Sequence, residues 1–420
     1  MHFKTTMVKI MKKWLLPLSL LLIGAAGFCC CEDDSDTEDG KSSAQIEAEL
    51  SATVQQMLTQ YKADCPGYPG GVALKVISKK GAFFVSKGLG NGITDQIRFR
   101  AASNTKLLTS TAILLLAQEG KLQIDHRILD TIPGQTRTYI PDEPSYRIPF
   151  GRQITIDQLL HHTAGVFDVT NFDIPDTVSA DVPYKGSSYL SYVMDQDPDH
   201  TFSFDELVGV NATCGLYNFA PGTSYKYSNT GYSLLGKIIE RVSGMNYSRY
   251  IAEKILQPMQ LQLSTMPYRG TDQTLPSPFA RGYFYTPEVV DCTETNISCN
   301  VAEGNLVTTP DDLARFLRAL LRGEGVLTSH TVNSTLLKIP QIPSGSNSYA
   351  CGIFYAQNLG WGHNGAHAGY LSRMVSDPES DITIVAFTNC WNVTEGIKSI
   401  ENQLNNLLDE LCYKAKYIVQ

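Results

Sequence analysis

Three short groups of residues in this 420-residue chain combine side chains that can carry out acyl transfer. The first is Ser103-Asn104-Thr105-Lys106, the only Ser-x-x-Lys in the sequence. On a helix a spacing of three puts the hydroxyl and the amine on one face. A lysine in a desolvated pocket loses basicity and can take the serine proton. The second is Tyr227-Ser228-Asn229, at the end of a Gly/Pro-rich loop that runs into a helical pattern from Leu234 to Val242. A phenol there can relay a proton, and an amide can hold the lysine and a substrate carbonyl. The third is His363-Asn364-Gly365, on a strand where Gly365 permits close approach and a backbone N–H could serve as an oxyanion donor. Each has a bland alternative when taken alone: a serine N-cap with a surface lysine, turn chemistry, and a partly buried histidine.

The elements around these groups follow from periodicity. Apolar residues at helical spacing predict a helix over 43–62, and 70–77 with 82–89 read as a hairpin. Residues 104–118 are apolar nearly all round, which predicts a buried helix ended by Gly120. From 125 to about 328 helical pieces alternate with long loops, and 167–219 is long enough to shape a site. Strands are expected at 350–355, 361–365, 369–376 and 382–387, then a helix from about Thr394 to Leu411. The fold class is therefore α/β: an antiparallel sheet flanked by helices, built from both ends of the chain, plus a mainly helical lobe. The expected boundaries are 43–120 with 340–412 for the α/β lobe and 121–339 for the helical lobe.

Composition narrows the function. Apolar residues make up 43% and aromatics 10%, which supports a sizeable core and argues against disorder. The net charge is −8, and beyond the N-terminus no Lys/Arg cluster could track a phosphate backbone, so nucleic acid is not an expected partner. Lys4, Lys9, Lys12 and Lys13 precede an uncharged stretch from Trp14 to Phe28, then Cys29, Cys30 and Cys31. That stretch is too short to span a bilayer and resembles a bacterial lipoprotein signal. Residues 1–30 are expected to be this signal, and 31–42, with acids from Glu32 to Asp39, a solvated tether. The expectation is a lipid anchor in a bacterial outer membrane, facing the periplasm or the cell surface. Of seven further cysteines, Cys292 and Cys299 are the expected disulfide, with at least one thiol left free. No metal-ligand spacing accompanies the cysteines, and no cofactor is expected.

Taken together and in this order, the three groups resemble the penicillin-recognising serine enzymes, and most closely the class C β-lactamase branch with its carboxypeptidase, esterase and acyltransferase relatives. Further segments carry the resemblance: Phe99–Ala102, Leu114–Leu122, Ile154–Gly165 and Asn305–Ala314. It extends over about residues 45–410. The resemblance implies Ser103 as acylated nucleophile, Lys106 as its base partner, Tyr227 as general acid/base and Asn229 as the group orienting Lys106. It implies an oxyanion hole from the N–H groups of Ser103 and Ala366, with Asn104, Asn364 and Gly365 beside the substrate. His363 stands where β-lactamases proper carry lysine. His162, in the Ile154–Gly165 segment, reads as structural.

The motifs point to acyl transfer without fixing the substrate. A neutral histidine at 363 disfavours acidic antibiotics. A carboxypeptidase needs a cation for a terminal carboxylate, and Arg373 is the candidate if its strand faces the site. An ester-type acyl donor needs no such cation, and the acyl group would pass to water or an alcohol. Its cleft walls are expected among Tyr139, Tyr146, Phe150, Phe167, Phe172, Tyr184, Tyr189, Tyr192, Tyr217 and Phe219. D-alanyl-D-alanine carboxypeptidase is the alternative; a β-lactamase or a non-catalytic penicillin-binding protein ranks lower. The enzyme is expected to act as a monomer.

Overall fold

A computed structural model describes residues 41–286, 288–343, 348–393 and 398–420, with side chains of the last segment from residue 404 onward. The expected lipoprotein signal and almost all of the tether lie outside the described residues.

Helix α1 (Ser43–Asp64) starts at a capping box in which Ser42 and Gln45 satisfy each other's backbone N–H groups. Its buried stripe, Ile46, Leu50, Val54, Leu58 and Tyr61, repeats every three to four residues. Strands β1 (Val72–Ser78) and β2 (Gly81–Lys87) form the expected hairpin. They join strands from the other end of the chain, β7 (Phe354–Ala356), β8 (Gly360–His367), β9 (Tyr370–Asp377) and β10 (Ile382–Thr388). The order is β2-β1-β10-β9-β8-β7, and every pairing is antiparallel. The central strands β1, β9 and β10 are buried along nearly their whole length, so they read as continuous apolar runs.

Helices cover both faces. On one side α1 and the C-terminal helix α9 (Lys398–Val419) enclose a core of Leu50, Val76, Leu371, Ile384 and Leu411. On the other lies the largest core, built around α2 (Thr105–Gln118), in which residues 105–116 are all buried. The middle of the chain is not confined to a separate lobe. From it come β3 (Phe99–Arg100), its partner β6 (Val307–Thr308), and α8 (Pro310–Leu321), which packs on β1, β9 and β10. Strands β4 (Tyr283–Tyr285) and β5 (Val289–Asp291) form a small sheet with β11 (Cys390–Asn392).

Three expectations change. The strand expected at 350–355 shrinks to β7, because the chain folds back around Gly352 (φ +68°), bridging Tyr349 to Phe354. An added Cβ at Gly352 would lie 2.4 Å from Ser110 Oγ and 2.6 Å from the Lys106 carbonyl oxygen, so only glycine fits. The last helix runs on to Val419, and residues 394–397 of its expected start lie outside the described residues. Cys292 and Cys299 are both free thiols. They are buried in different clusters, Cys292 with Phe284 and Val290, Cys299 with Phe202 and Leu207, which separates two residues that are near in sequence. Burial pushes the Cys292 thiol up to about 12, so it stays protonated and unreactive.

Candidate active site

The nucleophile position is set by a short clamp. β3 pairs with β6, and Ala101 donates its N–H to the Leu306 carbonyl at 2.9 Å. The chain then passes through Ala102 at φ +49°, a left-handed conformation that costs about 1–2 kcal/mol for a residue with a Cβ. Thr105 holds the turn: its hydroxyl donates to the Ala102 carbonyl (2.7 Å) and accepts the Leu306 N–H (2.9 Å). Ser103 sits on this turn, partly exposed, while its neighbours from Ala101 to Leu116 are buried.

One helical turn on, Lys106 is fully buried, and its ammonium donors are directed at three oxygens. They are Ser103 Oγ at 3.2 Å, the Glu303 carbonyl at 2.9 Å and Glu303 Oε2 at 3.1 Å. Nζ also lies 4.7 Å above the Tyr227 ring and 5.5 Å above the Tyr232 ring. Burial holds Lys106 below the usual lysine range, against the opposing pull of the Glu303 carboxylate. Burial also raises Tyr227 well above the usual phenol range, with a hydrogen bond from Ser103 opposing it. Ser103, Lys106 and Tyr227 are thus in mutual contact, as the sequence pattern predicts.

Tyr227 is placed by helix α6 (Asn229–Ser243), which begins just after it and is capped by Ser228, whose hydroxyl accepts the Gly231 N–H. The start of this helix is tied to the long loop. The Asp168 carboxylate accepts the Asn229 N–H at 2.9 Å and also bonds Thr170 and Asn171. That is how the 167–219 segment shapes the site. Asn229 itself differs from expectation. Its amide donates to Thr170 Oγ1 at 2.9 Å, and Glu303 rather than Asn229 engages Lys106. A buried ammonium is neutralised best by a carboxylate, which an amide cannot replace.

His363 lies on β8, fully buried. Its Nδ1–H donates to the Asn364 carbonyl at 2.5 Å, which leaves Nε2 to accept the Tyr349 hydroxyl at 3.0 Å. Burial and the nearby Lys106 charge push its pKa down to about 3, so the ring is neutral at physiological pH. Its ring centre is 6.3 Å from that of Tyr227. Because β7 pairs only with Gly360–Gly362, the 363–367 part of β8 is left without β7 beside it and runs along the nucleophile turn. A Cβ on Gly365 would stand 2.2 Å from the Ala101 carbonyl oxygen, so the close approach requires glycine. Ala366 and Asn364 follow along this edge, both partly exposed. Asn104 is not at the surface of the site. It is fully buried, and its amide donates to the Ala101 carbonyl (2.8 Å) and Ser372 Oγ (2.9 Å), bracing the turn against β9.

Four groups escaped the sequence pattern or were assigned differently. Glu303 carried one signal, a lone acid within the apolar run Val301-Ala302-Glu303-Gly304-Asn305-Leu306-Val307. Tyr349 and Asp168 lie outside the three motifs and carried none. His162 is more than a remote core residue: its ring centre is 4.2 Å from that of Tyr227 and 4.7 Å from that of Tyr349. Its Nδ1 accepts the Ser228 N–H at 3.1 Å, and burial keeps it neutral. The expected aromatic walls are mostly packing. Tyr139 and Tyr146 belong to the main core, and Tyr184 and Tyr189 pack with Phe202 in a separate cluster. Phe150 stacks edge-on against Tyr217. Arg373 is ion-paired with Asp409 at 2.8 Å, with its guanidinium 4.7 Å above the Phe354 ring.

A β-lactamase family model matches residues 54–403. Protein flp of Staphylococcus aureus (strain NCTC 8325 / PS 47) is 28% identical over 343 residues, covering 77% of this chain and 60% of that protein. The chain therefore spans about 60% of the length of these curated relatives. A putative D-alanyl-D-alanine carboxypeptidase of Escherichia coli (strain K12) is 26% identical over 332 residues, covering 69% of this chain and 68% of that protein. Among solved structures, a D-stereospecific amidohydrolase from Streptomyces sp. superposes with a TM-score of 0.63 at 25% identity, covering 82% of this chain and 94% of that one. The D-amino acid amidase from Ochrobactrum anthropi SV3 gives 0.67 at 23% identity, covering 89% and 98%, a likeness of fold.

Proposed function

Because the chain belongs to the β-lactamase family, with the fold of its serine hydrolases, we propose that it transfers acyl groups through an ester on Ser103 Oγ. The donors are small esters or amides with no carboxylate beside the scissile bond. Lys106, in the neutral amine form that its burial favours, takes the Ser103 proton as Oγ attacks the carbonyl carbon. The N–H groups of Ser103 and Ala366 receive the oxyanion. Tyr227, bonded to Ser103, passes the proton to the leaving group. Water or an alcohol then attacks the ester by the reverse path.

The observation that carries the substrate reading is the loss of cationic character where an anion would dock. His363 is neutral and held by Tyr349, and Arg373 offers no cation there, because it lies on the α9 face of β9, with Leu371 and Val375, and pairs with Asp409. A carboxylate brought there would be desolvated without a full counter-charge. This favours neutral acyl donors over acidic antibiotics and peptides with a free C-terminus. A D-amino acid amide, which has an α-ammonium but no carboxylate, also meets this requirement, in keeping with the amidohydrolase and amidase that share the fold. The test compares a p-nitrophenyl ester, a D-amino acid amide, a D-Ala-D-Ala peptide and nitrocefin, with a hydrophobic alcohol added to detect transfer. Turnover of the first two should dominate. Efficient D-alanine release with negligible ester and amide turnover would reverse the substrate reading.

His363→Lys supplies the missing cation. It should raise turnover of the D-Ala-D-Ala peptide and nitrocefin relative to the neutral ester by roughly the tenfold that about 1.4 kcal/mol of charge pairing provides. An unchanged substrate ratio in a folded variant would remove His363 from specificity.

Anchoring is a separate proposal, resting on the basic start, short apolar core and Cys29–Cys31 cluster. Changing all three cysteines to serine should release an unlipidated, soluble protein. A variant that still carries acyl chains would refute the anchor.

A further inference from the structure

Tyr227 must aim its hydroxyl at a leaving group, yet it sits in the irregular segment 218–228, which has no helix or strand of its own. His162 holds it there. The His162 carbonyl accepts the Lys226 N–H at 3.1 Å, and His162 Nδ1 accepts the Ser228 N–H at 3.1 Å. One residue thus grips the backbone on both sides of Tyr227. The imidazole also lies along the phenol, with ring centres 4.2 Å apart and planes tilted by 35°. Tyr349 at 4.7 Å and Tyr232 at 5.0 Å pack on the same imidazole and limit its movement.

The turn that presents His162 is built for this contact. It leaves the short helix Ile156–Leu160 with His162 at φ +57°, a left-handed backbone that histidine tolerates better than most residues. Such a conformation persists only where the surroundings over-determine it. Here they do, because the turn runs beside segment 218–228. The Thr163 carbonyl accepts the Gly222 N–H and the Gly165 carbonyl accepts the Asn218 N–H, both at 2.8 Å. Lys106 and Tyr349 face the phenol ring, whereas the two backbone bonds flanking Tyr227 both end on His162.

We propose that His162 is a positioning residue for proton delivery to the leaving group: it grips Lys226 and Ser228 so that the Tyr227 hydroxyl stays fixed beside Ser103. The inference rests on the acyl-enzyme reading above. As the bond from the carbonyl carbon to the leaving group breaks, the Tyr227 proton passes to that group. Tyr227 regains a proton from Lys106, which had taken it from Ser103. His162 is no carrier in this sequence. Its Nδ1 is filled by a backbone N–H, so the ring proton is on Nε2, which has no hydrogen-bond partner among the described residues. The residue is 3% exposed, so solvent does not supply one. Its contribution is therefore geometric, and a misplacement of about 1 Å in a reacting group can cost roughly 10²-fold in rate.

The test compares kcat/KM, which reports acyl-enzyme formation, for the p-nitrophenyl and ethyl esters of one acid. p-Nitrophenolate departs without a proton, whereas ethanol leaves only once Tyr227 has supplied one. His162→Phe keeps an aromatic ring and removes the acceptor for Ser228. Its ethyl ester value should fall roughly 10²-fold and its p-nitrophenyl ester value by less than about threefold. His162→Asn keeps an acceptor oxygen near the Nδ1 position and tolerates the positive φ. It should recover most of the ethyl ester activity, leaving a deficit of roughly three- to tenfold. In Tyr227→Phe, adding His162→Phe should cost less than about threefold more, because no phenolic proton is left to aim. Equal losses on the two esters, or losses that multiply in the double variant, would overturn the proposal. Should His162→Phe not fold, His162→Asn decides alone: a deficit confined to the ethyl ester supports the grip, and equal deficits or none overturn it. Fluorophosphonate labelling of Ser103 in the wild type separates the two readings. Without labelling both fall, whereas labelling combined with equal ester losses removes His162 only.

Discussion

Ser103→Ala is expected to abolish both turnover and covalent labelling. Ser103 is the partly exposed residue on a turn otherwise buried from Ala101 to Leu116, and it receives a Lys106 donor at 3.2 Å. Removing the oxygen removes the atom that forms the ester, so the loss should be on the order of 10⁵–10⁶-fold in kcat, the scale seen when a serine nucleophile is deleted. The fold should be barely affected. The side chain is small, and Lys106 keeps its two bonds to Glu303, so stability should change by no more than about 1 kcal/mol. The measurement is p-nitrophenyl ester hydrolysis together with intact mass after fluorophosphonate treatment. A folded Ser103→Ala protein with wild-type ester turnover would end the mechanism proposed here.

Lys106→Ala is expected to be nearly as damaging to activity, because members of one catalytic unit are strongly non-additive. It should also carry a large stability loss that Ser103→Ala lacks. Glu303 is 2% exposed and would lose the ammonium that neutralises it, and breaking a buried pair costs about 3–5 kcal/mol. The pH dependence has a definite sign. Burial already holds the folded-state pKa of Glu303 above its unfolded value near 4.3, and without Lys106 it rises further. Its protonated form is therefore favoured by folding, and that contribution is fully present below about pH 4.3 and lost as pH rises through the folded value. Melting temperatures of Lys106→Ala should consequently approach wild type in acid and fall away toward neutral pH. A constant difference across pH would show that Glu303 does not depend on Lys106 for its charge.

The elements legible in the sequence were those whose periodicity and burial agree. Residues 104–118 are apolar on every side, and the helix they form is buried on every side. Helix α1 and the β1–β2 hairpin follow their apolar spacing closely. The miss at 350–355 has the opposite character: the residues suit a strand, but Gly352 must turn tightly where the chain meets Ser110 and the Lys106 backbone. Local preference lost there to a steric limit set by α2. The Cys292–Cys299 pairing failed for a related reason, since closeness in sequence did not prevent the two thiols from joining separate cores.

For the site, the sequence by itself determined the groups proposed to react. Ser103 and Lys106 are bound to one face by helix geometry, and Tyr227 comes with the capped start of its own helix, so short-range rules suffice. It also determined that residue 363 is a histidine and not a fixed cation. Only the tertiary structure decided which partners those groups have. Glu303 reaches Lys106 from 197 residues away, and Tyr349 holds His363 across a turn that the strand pattern concealed. Asp168, Thr170 and Asn229 are joined by a fold-back of about sixty residues, which leaves Lys106 to Glu303. Proton affinity in a buried site depends on distance to the nearest opposite charge and on exclusion of water. Both are properties of packing between segments remote in the chain, so they become fixed only when the sheet has closed over α2.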